Sequence, residues 1–156
     1  MKGKIKTLIF CILIPLAVGS LASFITKGEM EAFASVDKPP LSPPGWLFPV
    51  VWTVLYILMG VASYFVITEG EDQNQVKLAL TFYGVQLFFN FFWNIIFFIF
   101  DAYYLAFGWI LLLLILIIVT TSMFFKISKK AGWLMIPYII WVAFAAYLNL
   151  GIALLN

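Results

Sequence analysis

In Val36-Asp-Lys-Pro-Pro-Leu-Ser-Pro-Pro-Gly-Trp-Leu-Phe-Pro-Val-Val-Trp-Thr-Val-Leu-Tyr56, five prolines (Pro39, Pro40, Pro43, Pro44 and Pro49) fall within eleven residues, and a long apolar run without a charge follows. Proline has no amide hydrogen, fixes its own φ and pushes the residue before it toward extended geometry. Lys38 to Gly45 is therefore stiff and non-helical. Pro49 suits the first turn of a helix, where proline is favoured. Trp46 and Trp52 follow at once. Two readings stand at this point: a proline-braced lid over a site, or an ordinary loop that ends where a helix starts.

Outward from this stretch the sequence is 65% hydrophobic and 10% charged, with a mean hydropathy of +1.09. An average soluble domain is about 25% charged. This much apolar surface requires lipid as the solvent. The 156 residues make one domain. A net charge of +2, carried by nine lysines and no arginine, is too small to suggest nucleic acid as a partner. The single cysteine, Cys11, excludes an intramolecular disulfide and a multi-cysteine metal cluster. There is no histidine, which removes the commonest metal ligand, general base and haem ligand. No metal site is expected.

A membrane-crossing helix needs about 20 mostly apolar residues. Five segments qualify: Ile5–Ile25, Leu47–Ile67, Val76–Phe98, Tyr103–Phe125 and Gly132–Leu154. The fold class is an all-α membrane bundle of five helices, with the proline-rich first loop over a pocket. The first segment resembles a signal peptide, with Lys2, Lys4 and Lys6 before it and Ser20-Leu-Ala22 as a cleavage-like site. Its apolar run reaches Ile25, long for such a leader, and it is read as the first helix. With the N-terminus inside, Lys2, Lys4, Lys6, Lys77, Lys126, Lys129 and Lys130 face the cytoplasm and only Lys27 and Lys38 lie outside. That positive-inside bias predicts a multi-pass protein of the cell membrane with a cytoplasmic N-terminus and an external first loop and C-terminus.

At 3.6 residues per turn, helix two presents Trp52, Tyr56, Gly60 and Ser63 on one face. Helix three presents Tyr83, Gln86, Asn90, Trp93 and Phe97, and helix five presents Trp141, Ala145, Leu148 and Asn149. Helix four carries an aliphatic run, Ile110 to Val119, and reads as a lipid-facing wall. Amides avoid lipid, so Gln86 and Asn90 point into the bundle, either as interhelical glue or as polar groups of an aromatic pocket. Trp109 and Trp133 read as members of the interfacial aromatic belt. Gly19 and Ser23 read as a close-packing pair. No Asp, Glu, Lys or Arg lies well inside a span, and there is no phosphate loop, nucleophile elbow or paired carboxylate. Chemistry would have to come from a bound ligand.

The segment Asp37-Lys-Pro-Pro-Leu-Ser-Pro-Pro-Gly-Trp with Val51-Trp-Thr-Val-Leu-Tyr-Ile-Leu-Met-Gly60 resembles the first loop and second helix of the TspO/MBR family, the translocator proteins or peripheral benzodiazepine receptors. Gln86-Leu-Phe-Phe-Asn90-Phe-Phe-Trp93 resembles the family's third helix, and Pro137-Tyr-Ile-Ile-Trp141-Val-Ala-Phe-Ala145-Ala-Tyr-Leu-Asn149 its fifth. The resemblance implies a five-helix bundle, often a homodimer, that binds tetrapyrroles such as protoporphyrin IX or haem, and related hydrophobic molecules, with no required cofactor. The implied ligand-binding residues are Phe33, Pro43, Trp52, Tyr56, Gln86, Asn90, Trp93, Trp141, Ala145 and Leu148. It implies a receptor or carrier without catalytic residues. The alternative it carries is light-dependent porphyrin degradation, in which Trp52 and Trp141 would be the catalytic pair. A further alternative is a structural subunit with no small-molecule ligand. Four departures stand out, one of them the absence around Gly84 of the small-residue dimer pattern that some members carry on helix three. The family's Trp-Tyr pair in the loop is Ala32-Phe33 here, its Trp between the prolines is Leu41, and no Lys or Arg follows Leu150 where animal members carry a proposed cholesterol motif. Ligand propionates would look to Lys38 or Lys27 for a cation.

Overall fold

The computed structural model describes residues 2–29 and 34–156, and among these the chain is a bundle of five long helices without strands. Helix α1 spans Lys2–Thr26 and continues into a 3₁₀ turn, Lys27–Glu29. Helix α2 is Leu47–Glu69. Helix α3 is Gln73–Asn94 and runs on into a π-helical turn, Ile95–Ile99. Helix α4 is Tyr103–Ile127 and α5 is Lys129–Leu155. Each is long and apolar enough to cross a membrane. In lipid every backbone polar group needs an internal partner, and helices supply it.

Capping explains where the helices outrun the apolar segments. The expected third and fifth spans begin at Val76 and Gly132, whereas α3 starts at Gln73 and α5 at Lys129. The Asp72 carboxylate accepts from the Asn74 N–H at 3.0 Å, and Ser128 Oγ accepts from the Ala131 N–H at 3.3 Å. Each side chain satisfies a donor that a helix start otherwise leaves open. The Ser128 hydroxyl also donates to Glu69, and Lys130 Nζ lies 3.8 Å from that carboxylate, so the end of α2 is tied to the start of α5.

Around the bundle the helices stand in the order α1, α2, α5, α4, α3. Helices α2 and α3, adjacent in sequence, scarcely touch. Helix α5 packs chiefly on α4 and then on α2, while α1 leans on α2 and closes the ring against α3 and the π turn. The reading of α4 as a lipid wall is corrected here. Ile110, Leu113 and Ile117 are fully buried, together with Ala106, Thr120, Thr121 and Phe124, while Leu112 and Ile115 face outward. Trp109, near the start of α4, also has partners within the bundle. Its indole stacks on Phe89 at 4.4 Å and its Nε1 donates to the Phe89 carbonyl at 2.8 Å, which makes it a bond between α4 and α3. Trp133 remains 66% exposed, with its edge against Phe125.

Close approach of α1 to α2 depends on Gly60. A Cβ there would lie 2.5 Å from the Ile12 Cα and 2.7 Å from the Cys11 carbonyl oxygen. That carbonyl is the one Pro15, having no N–H, leaves without its helical donor. Gly60→Ala should force the two helices apart and cost about 1–3 kcal/mol, as overpacking of a close contact does. The expected result is a lower unfolding midpoint in detergent, and an unchanged midpoint would mean that α1 gives way freely.

Candidate functional site

The proline-rich loop lies over the ends of the helices and is fastened to α5. Prolines cannot donate, so the loop's carbonyls must find donors elsewhere. Ser42 Oγ donates to the Pro39 carbonyl at 2.7 Å, the Tyr147 hydroxyl to that of Pro40 at 2.7 Å, and the Leu47 N–H to that of Pro44 at 3.0 Å. The Asn156 side chain grips Asp37 from both sides. Its Nδ2 donates to the Asp37 carbonyl at 2.8 Å and its Oδ1 accepts from the Asp37 N–H at 3.2 Å. The Pro39 ring rests on Gly151, where a Cβ would come within 2.4 Å of it. The turn passes through Leu41, a non-glycine residue at φ 70° whose side chain is 82% exposed.

Beneath this roof is a cavity of about 210 Å³. The roof contributes Lys38, Ser42 and Pro43. Helix α2 contributes Phe48, Trp52 and Tyr56, and α3 with its π turn contributes Trp93, Asn94, Phe97 and Phe98. Helix α5 contributes Trp141, Ala145 and Leu148. Helix α1 contributes Gly19, Ala22, Ser23 and Thr26, a side of the cavity that sequence reasoning missed. The Gly19–Ser23 pair was its available signal. The absence of a side chain at Gly19 makes room for the Tyr56 ring, which a Cβ would meet at 2.2 Å.

The expected residues divide into three groups. Pro43, Trp52, Tyr56, Trp93, Trp141, Ala145 and Leu148 share the cavity wall. Gln86 and Asn90 lie deeper along α3, fully buried, in a chain of hydrogen bonds. Phe33 lies outside the described residues. The chain begins at Tyr56, whose hydroxyl donates to Asn90 Oδ1 at 2.9 Å. Asn90 Nδ2 donates to the Tyr138 oxygen at 2.7 Å, and the Tyr138 hydroxyl donates to Gln86 Oε1 at 2.7 Å. This links α2, α3 and α5 under the cavity. Tyr138 was the member that sequence reasoning missed, because a tyrosine among aliphatic residues gives no sign of its hydroxyl's partners.

The wall tryptophans are held in different ways. Trp52 stacks on Tyr56 at 5.6 Å and meets the edge of Tyr138 at 6.3 Å. Trp93 stacks on Phe97 at 5.0 Å, and its Nε1 donates to Asn149 Oδ1 at 3.0 Å. Asn149 in turn donates to the Tyr103 carbonyl at 2.9 Å, at the start of α4. Trp141 has an edge contact with Phe48 and a tilted one with Phe144, and its Nε1 is buried with no acceptor among the described residues. A buried donor of that kind suits an acceptor on a ligand. Lys38 Nζ, at the rim, donates to the carbonyls of Ala34 and Val36 at 3.3 and 3.1 Å. No group of three metal-ligating side chains occurs among the described residues.

Fold and site define a small multi-pass membrane protein with a roofed, aromatic cavity inside its helix bundle. The family model described as the TspO/MBR family matches residues 11–155, and the chain belongs to that family. It is 40% identical to the tryptophan-rich protein TspO of Chlorobaculum tepidum, over all of this chain and 99% of that one. It is 38% identical to the protein of the same name from Archaeoglobus fulgidus, over 98% of this chain and 99% of that one. The translocator protein of Ovis aries is 34% identical, over 88% of this chain and 82% of its own.

Removing the Tyr138 hydroxyl leaves both Asn90 and Gln86 short of a partner. Tyr138→Phe should therefore destabilise the bundle by about 1–3 kcal/mol, the cost of stranded buried polar groups. Reversible unfolding in mixed micelles measures this, and a loss below about 0.5 kcal/mol would mean that the amides find other partners.

Proposed function

We propose that this protein is a membrane receptor or carrier that holds a flat, hydrophobic tetrapyrrole such as protoporphyrin IX in its aromatic cavity. The observation that carries the reading is the convergence of Trp52, Trp93 and Trp141 with Phe48, Phe97 and Phe98 on one roofed space. Indole and phenyl faces suit stacking and edge contacts with an extended π system. The Trp141 N–H, without an acceptor among the described residues, offers one directional bond, and Lys38 at the rim offers a cation for a propionate. The names of the relatives, tryptophan-rich protein TspO and translocator protein, are compatible with this reading.

The lysine distribution supports an orientation with the N-terminus of α1 in the cytoplasm and the roofed end of the cavity outside. A homodimer belongs to the same proposal and comes from family membership alone. The sequence holds no histidine to ligate haem iron, so metal-free porphyrin should bind at least as tightly as haem.

The size of the cavity sets a condition. Pockets for small molecules usually measure about 300–1,000 Å³, and this one is about 210 Å³. A macrocycle therefore requires the roof or a wall to move outward as it binds.

Titration of protoporphyrin IX into the detergent-solubilised protein in the dark, followed by the Soret shift, tests the reading. Saturation at one porphyrin per chain is expected. The double variant Trp52→Phe, Trp141→Phe should bind roughly tenfold more weakly, given the usual worth of aromatic contacts. Trp133→Phe, on the outer surface, should bind as the parent does. Equal loss in both variants, or quenching that never saturates, would sink the assignment. Illumination of the complex decides between holding and degrading the porphyrin: loss of the Soret band only with protein and light together favours degradation.

A further inference from the structure

The outer face of the bundle carries a second hollow, an open groove of about 650 Å³ along the seam between α2 and α5. Val50, Val54 and Leu58 form its α2 side, and Pro137, Ile140 and Phe144 its α5 side. All are apolar, and all lie on membrane-spanning helices. Trp141 lines this groove and also lines the roofed cavity, and it is the one residue common to the two linings. The indole therefore stands as a partition between the cavity and the lipid side of the protein.

We propose that the seam between α2 and α5 is a lateral gateway, and that an apolar ligand dissolved in the bilayer passes through it into the cavity when the Trp141 indole swings aside. The proposal rests on the ligand-binding reading above and adds the route and the moving part.

Of the three wall tryptophans, Trp141 alone lines both the cavity and the groove, and no hydrogen bond among the described residues ties it there. Trp93 is fixed by its hydrogen bond to Asn149, and Trp52 is held against both Tyr56 and Tyr138. Trp141 keeps its place through ring contacts with Phe48 and Phe144 at 5.8 and 5.7 Å, and its Nε1 has no acceptor among the described residues. Turning it outward breaks no indole hydrogen bond among the described residues, and lipid tails replace the dispersion contacts it leaves. Pro137, one turn earlier, removes a main-chain hydrogen bond of α5 beside the seam, which eases local bending. The roof, by contrast, is tied to α5 at Asp37, Pro39 and Pro40. Volume points the same way. The cavity alone is small for a macrocycle, and displacing this one ring joins it to the larger groove.

The test plugs the groove from outside. Val54 and Ile140 are 50% and 64% exposed and do not line the cavity, so the double variant Val54→Trp, Ile140→Trp fills the groove and leaves the cavity lining intact. Parent and variant are reconstituted in phosphatidylcholine vesicles. Protoporphyrin IX is delivered from donor vesicles, and binding and release are followed by the Soret shift. The expected result is that association and dissociation both slow by roughly fivefold or more with the dissociation constant unchanged, the signature of a gate. Trp141→Ala, which removes the partition, should accelerate association by a similar factor. Unchanged rates in both variants would overturn the gateway and leave the ligand-binding reading standing. So would weaker equilibrium binding with an unchanged association rate in the plugged variant. A parent protein that binds no porphyrin saturably would remove the ligand reading, and the gateway with it.

Discussion

The hydrogen bonds that run from Tyr56 through Asn90 and Tyr138 to Gln86 give α2, α3 and α5 a reason to associate that lipid itself does not. In water, apolar faces are driven together. In a bilayer the tails are as apolar as leucine, and helices are held by close packing and by polar bonds between them. Every donor in this chain points the same way, each hydroxyl or amide passing a hydrogen to the next group. The orientation of each member thus fixes its neighbours, and the floor of the cavity is set before any ligand arrives. The bonds of Trp93 to Asn149 and of Asn149 to the Tyr103 carbonyl extend the same logic to α4.

This dependence also explains what could be read from the sequence. Hydropathy placed all five spans, since length and apolarity suffice for that. The prolines marked the loop, and the polar residues marked stripes on α2, α3 and α5 because an amide has one sensible direction in lipid. Aliphatic residues carry no such mark. Ile110 and Leu113 are buried while Leu112 and Ile115 face outward, although all are of the same kind. Only small and hydroxyl residues at Ala106, Thr120 and Thr121 betray the packed face of α4. The order of helices around the bundle was invisible for the same reason. The bond of Trp109 to the Phe89 carbonyl was equally hidden, because an indole near a span end shows no sign of which acceptor its N–H will meet.

Within the candidate site, the aromatic wall was legible and the division of labour was not. Gln86 and Asn90 had two readings, glue or pocket, and the geometry puts them in the framework below the cavity. The α1 side went unseen because Gly19, Ala22 and Ser23 contribute by being small. The three wall tryptophans look alike in sequence. They differ in place: Trp93 is tied across to α5, Trp52 lies against Tyr56 and Tyr138, and only Trp141 also borders the groove on the outer face.

The roof carries an opposition of its own. Leucine at φ 70° places its Cβ against the following carbonyl, a conformation about 1–2 kcal/mol above the right-handed one for any residue but glycine. Against this stand the grip of Asn156 on Asp37, the Tyr147 bond to Pro40 and the seat of Pro39 on Gly151. Net worths near 1 kcal/mol are usual for such bonds. Together these fastenings outweigh the turn they oppose, so the loop is a clamped arch that loss of one fastening would leave standing.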